Sequence, residues 1–177
     1  DGTVFKKDVT RFAPLWVLYL IVGFMPFFRS GIRAEVLESM ISRAGFLSFL
    51  YAMLTAQLLF GDLFDARLCH ALHAIPLRRE GWFLTHFTAG MLFCIVPNTL
   101  GAVIACMILQ QYCYLAFIWL AVMILQFLFF FSVGAFAAQC AGNKLGAMGI
   151  YCLINFLAVL VAFLVVTFYE PVLYGVV

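Results

Sequence analysis

The residues best equipped for chemistry are three histidines and six cysteines. His70 and His73 stand three apart, so on a helix their imidazoles share a face, with His86 further along and Asp62, Asp65 and Cys69 nearby. Two such imidazoles can begin a metal shell, but a zinc hydrolase needs a tighter signature such as H-E-x-x-H on a helix, and none occurs. Surface histidines bonded to water or neighbours are the expectation, with no metal and no other cofactor. Cys69, Cys94, Cys106, Cys113, Cys140 and Cys152 contain no C-x-x-C pair and lie mostly in apolar runs, which predicts reduced, buried small hydrophobes. The phosphate-cradling pattern G-x-x-x-x-G-K-[ST] is absent as well. These residues predict a chain that is not itself an enzyme.

Composition says where those residues work. Of 177 residues, 67% are hydrophobic and 10% charged, against roughly half and a quarter in soluble domains. A water-soluble fold of this length cannot hide so much apolar surface, so lipid must be the solvent for most of it. The formal charge of +2, with basic residues scattered through short loops, excludes nucleic acid as a partner.

A helix needs about 20 apolar residues to cross the hydrocarbon core. Charge-poor runs at 12–28, 45–64, 83–109, 114–140 and 145–169 predict an all-α polytopic transmembrane bundle forming a single domain over residues 1–177. The alternation of a membrane β-barrel is missing. With the N-terminus inside, the cytoplasmic segments hold Lys6, Lys7, Arg11, Arg67, Arg78, Arg79 and Lys144, whereas the outer ones hold only Arg29, Arg33 and Arg43. That bias predicts a cytoplasmic N-terminus in a multi-pass protein. Because the chain opens on Asp1 and five spans leave its end outside, a trimmed chain is expected, with a sixth span beyond Val177. Residues 29–44 are long enough for a short outer surface helix, and 110–113 and 141–144 read as tight turns.

Two segments outside the spans have a helical apolar stripe. In 65–82, Leu68, Leu72 and Ile75 repeat at i, i+4 and i+7, with Arg67, His70 and His73 elsewhere around the helix. Pro76 should end that helix, and Arg78, Arg79 and Glu80 form a polar joint before the third span. This helix either offers a face to a partner or simply lies at the membrane surface joining two spans. In the lead-in 1–11, running into the first span, Phe5, Val9 and Phe12 make a similar stripe, suited to the headgroup layer.

Polar side chains within the spans are few. Gln57, Asn98, Gln126, Gln139 and Asn155 should face other helices, as interhelical glue or along a substrate path, since an unpaired amide in hydrocarbon costs about 2–7 kcal/mol. Ionisable groups are absent away from span ends, which disfavours proton coupling and voltage gating. Pro26 and Pro97 should kink their helices. Gly142 and Gly146 straddle a turn, whereas Gly134 and Ala138 make a better small-x-x-x-small face.

The basic lead-in F-K-K-D-V-T-R-F-A-P-L-W-V-L-Y, followed by D-A-R-L-C-H-A-L-H-A-I-P-L-R-R-E-G-W between spans two and three, resembles the membrane subunits of bacterial type-2 ABC transporters. The phrase Ile75-Pro76-Leu77-Arg78-Arg79-Glu80 carries most of the likeness. The resemblance implies a permease subunit in the bacterial plasma membrane, usually six spans, paired with a second copy or homologue. It also implies a separate cytoplasmic ATPase subunit that grips a coupling helix over about residues 66–75, an interfacial helix around Phe5–Phe12, and export as the direction. A membrane-embedded accessory or sensor protein, using 65–82 to hold a different partner, is the alternative.

Overall fold

The computed structural model describes residues 13–31, 33–64 and 79–173. Within them the chain is helical throughout, with no strand. Five long helices follow one another: α1 Ala13–Ser30, α2 Ala34–Leu59, α3 Arg79–Ile108, α4 Cys113–Cys140 and α5 Lys144–Leu173. Short 3₁₀ turns at Gly61–Phe64 and Gln110–Tyr112 follow α2 and α3.

The breaks have local causes. Gly31 has φ +70°, a left-handed conformation that costs glycine nothing and stops α1. Arg33 is extended and α2 starts at the next residue. No Gly or Pro interrupts 34–44, so this stretch continues into the apolar part of α2 and does not form the separate surface helix expected over 29–44. Phe60 closes α2 by donating its N–H to the Ala56 carbonyl at 2.9 Å, and Gly61 follows. Arg79 and Glu80 belong to the first turn of α3 rather than to a joint ahead of it, and an acidic residue there suits the positive end of the helix dipole. Asn143 caps α5, its side-chain carbonyl accepting the N–H of Gly146.

The five-span expectation is met in part. Three helices are long and apolar enough to cross a membrane: Glu80–Ile108, Gln110–Cys140 and Lys144–Phe168. The departure has a physical reason in α2, which carries Glu35, Glu38, Arg43 and Gln57. One face of this helix is also well enclosed. Leu37, Ala44, Ala52, Ala56 and Phe60 are almost fully covered by protein, so its sequence is under less demand to be apolar all round.

Helix α2 packs most extensively on α4, and the two run parallel, since Gly45 lies near Gln126, Phe49 near Phe130 and Ala56 against Gly134. At Gly134 the helices come closest: a Cβ there would lie 2.7 Å from the Ala56 Cβ and 3.7 Å from the Ala52 carbonyl. The small face of Gly134 and Ala138 is thus spent within the chain. On the other flank of α4, α5 adds Ala147, Tyr151 and Asn155 to the interior, and the Tyr151 hydroxyl donates to the Phe49 carbonyl at 2.8 Å. From Phe156 to Phe168 every side chain of α5 is exposed.

Candidate functional site

Two groups of side chains in the interior connect into one site. The first is polar and lies where α1, α2 and α3 meet. Asn98 follows Pro97 within α3, which runs from Arg79 to Ile108. The Asn98 amide Nδ2 donates to the Tyr19 hydroxyl at 2.7 Å, to the Cys94 carbonyl at 2.9 Å and to the Cys94 Sγ at 3.2 Å. Tyr19 in turn stacks on Tyr51 of α2, ring centroids 4.1 Å apart. Asn98 is only 1% exposed and Tyr51 6%. Neither Asn98 Oδ1 nor the Tyr51 hydroxyl has a hydrogen-bond partner among the described residues. Chemically, this cluster retains one strong acceptor and one phenolic donor in an apolar setting, where each bond made is worth more than in water.

The second group is aromatic. Phe60, fully enclosed at the end of α2, meets Trp82, Phe83 and His86 from the start of α3, at centroid distances of 5.9, 5.6 and 6.2 Å, and Phe131 of α4 at 6.3 Å. His86 packs closest on Trp82, 4.5 Å between centroids. Phe87 adds a further ring at 5.1 Å from Phe131. Gly90 is what admits Phe131 to α3: a Cβ there would collide with Phe131 Cζ and lie 2.9 Å from Leu59 Cδ1. Edge and offset ring contacts of this kind contribute about 0.5–1.5 kcal/mol each beyond their area.

The two groups are joined. Tyr51 touches Phe127 at 5.6 Å, and Phe127 stacks on Phe131 at 5.4 Å with an interplanar angle of 11°. A continuous line of rings therefore runs Tyr19, Tyr51, Phe127, Phe131, Phe60, Trp82. It begins at the Asn98 amide and ends where the C-terminus of α2 meets the N-terminus of α3.

Of the residues expected to bind a partner, Arg67, Leu68, His70, Leu72, His73, Ile75, Pro76 and Arg78 lie outside the described residues, as do Phe5, Val9 and Phe12. Arg79 opens α3 and Glu80 is exposed beside it. His86 belongs to the aromatic group and sits 3% exposed, away from any surface. Among the described residues no three His, Cys, Asp or Glu side chains converge as a metal shell. The amides divide: Asn98 and Asn155 are buried, Gln57 and Gln126 are half-buried with an enclosed Oε1, and Gln139 is exposed. Asn155 is satisfied within its own helix, donating to the Tyr151 carbonyl at 2.8 Å.

Tyr19, Tyr51, Phe60, Trp82, Phe83, Phe87, Phe127 and Phe131 are members that the sequence alone does not single out. A tyrosine in the middle of an apolar run was the available signal, because its hydroxyl must find a partner there. Comparison with protein-family models, with curated proteins and with solved structures returned no match.

Proposed function

We propose that this chain is the permease subunit of an ATP-driven transporter of the exporter type. In this reading its five long helices all span a bacterial plasma membrane, with the N-terminus and residues 65–82 on the cytoplasmic side. A separate ATPase subunit grips the helix around residues 66–75, and a second permease copy or homologue completes the pathway. The chain itself carries no nucleotide site and acts as a lever and a lining.

The observation that supports this reading best is the ring line from Trp82 and Phe60 to the Asn98 cluster. A force applied to residues 65–78 acts on the end of α2 and the start of α3. Both ends are fixed to the same rings, so they can only move with Phe131 of α4 and, through Phe127, with the Tyr51–Tyr19 stack. Packed interiors of this kind shift between discrete arrangements rather than deforming smoothly, which is what a partner-biased rocking mechanism needs. The free acceptor of Asn98 and the Tyr51 hydroxyl then offer a transported molecule hydrogen bonds in the bundle interior.

The test uses the chain purified with the ATPase with which it associates and reconstituted in lipid. Arg78→Glu with Arg79→Glu, or Leu72→Asp, should leave membrane insertion intact while abolishing the dependence of transport on ATP hydrolysis. Trp82→Ala should weaken it. Normal coupling in all three variants overturns the proposal.

A further inference from the structure

The five described cysteines are not equivalent. Cys94 is enclosed in the Asn98 cluster, and Cys140 and Cys152 are exposed singly on α4 and α5. Cys106 and Cys113 face each other across the α3–α4 turn. The Cys113 Sγ donates to the Cys106 carbonyl at 3.3 Å, and the Cys106 Sγ donates to the Cys113 carbonyl at 3.7 Å. Each thiol therefore overlies the other's backbone, and the two side chains cross in one space.

We propose that Cys106 and Cys113 form a reactive dithiol that closes to a disulfide by exchange with a small-molecule or protein disulfide. Three observations carry it. A disulfide needs Cα atoms about 4.4–6.8 Å apart with converging Cβ vectors, and the reciprocal approach brings each sulfur to the other residue's carbonyl. The turn that brings the two together is fixed, because Leu109 donates to the Ala105 carbonyl at 2.8 Å and Tyr112 to the Leu109 carbonyl at 2.8 Å. The turn also leaves both thiols partly accessible to a reagent. Both cysteines are half-exposed, Gln110 stands beside them, and Tyr112 and Tyr114 are exposed in the manner of rings at a membrane–water boundary.

The chemistry balances as ordinary exchange. One thiolate attacks a sulfur of the donor disulfide, forming a mixed disulfide and expelling the first donor thiolate. The second cysteine's thiolate attacks the protein sulfur of that bond, forming Cys106–Cys113 and expelling the second. Two protein thiols are oxidised, one donor disulfide is reduced to two thiols, and the two protons pass to the leaving thiolates. The product would tie the last turn of α3 to the first turn of α4. This inference is independent of the transport reading, since it needs neither an ATPase nor a substrate.

Oxidised glutathione is the probe, applied to the full chain in lipid nanodiscs, with free thiols then alkylated and counted by intact mass. In the wild-type chain the Cys106 and Cys113 thiols should both become unavailable to alkylation, return on reduction, and carry no glutathione. Cys106→Ser and Cys113→Ser should each instead carry one glutathione on the remaining partner. Glutathione on both cysteines of the wild-type chain, or two thiols that stay alkylatable while Cys140 and Cys152 react, would overturn the proposal. Peptide mapping of the oxidised chain to a bond other than Cys106–Cys113 would overturn it equally.

Discussion

Helices α4 and α5 are both apolar enough to cross a membrane, yet one is the hub of the bundle and the other leaves it halfway along. Ala116, Trp119, Phe127, Phe131, Gly134 and Ala138 of α4 are all enclosed, whereas α5 contributes Ala147, Tyr151 and Asn155 and then nothing up to Phe168. Hydrophobicity does not explain the difference, because the far half of α5 is as apolar as anything in α4. What α4 has is relief and fit: a glycine against Ala56, and large rings that drop into the gap left by Gly90 on α3. Where lipid is as apolar as a leucine side chain, helices associate through close packing and hydrogen bonds, and a helix without these has no reason to prefer a neighbour.

That contrast can be broken most severely at its centre. Phe131→Ala removes the ring that touches Phe60, Phe87 and Phe127, and should cost about 3–5 kcal/mol, read as a large drop in the unfolding midpoint in detergent. Gly134→Ala comes next. Its new methyl meets the rigid Ala56 Cβ rather than the end of a flexible chain, so α2 and α4 must move apart, at about 1–3 kcal/mol by the same measurement. If Gly134→Ala melts like the parent chain, the close α2–α4 crossing is wrong.

A smaller effect sharpens the polar part of the comparison. In a double-mutant cycle of Tyr19→Phe and Asn98→Ala, the coupling energy should be about 0.6 kcal/mol and no more than about 1.7, as for interhelical bonds in other membrane proteins. A value of zero would mean that the α1–α3 hydrogen bond does not form. Least of all, Val161→Ala and Phe163→Ala on the far half of α5 should change stability by less than about 0.5 kcal/mol. A large loss there would show that this half of α5 is covered by protein and not by lipid.

The candidate site was only partly legible beforehand. Asn98 stood out as an amide among apolar residues, and the need to bury it against another helix was readable from its chemistry alone. Its partner was not, since nothing in the sequence distinguishes Tyr19 from the other tyrosines in apolar runs. Gln139 looked the same as Asn98 on paper and ended up exposed near the end of α4. By residue type His86 belongs with His70 and His73, but it packs against the rings of Trp82 and Phe60.

The sequence by itself determined that this chain is made of apolar helices and roughly where α1, α3, α4 and α5 start and stop, because both follow from composition and the short polar turns, whereas the start of α2 at Ala34 does not. Tertiary structure alone decided which face of each helix points inward, which rings line up from Trp82 to Tyr19, and that Cys106 meets Cys113. The reason is physical. In water an amphipathic stripe announces the buried face, whereas in lipid both faces are apolar, and only shape and a few hydrogen bonds tell one neighbour from another.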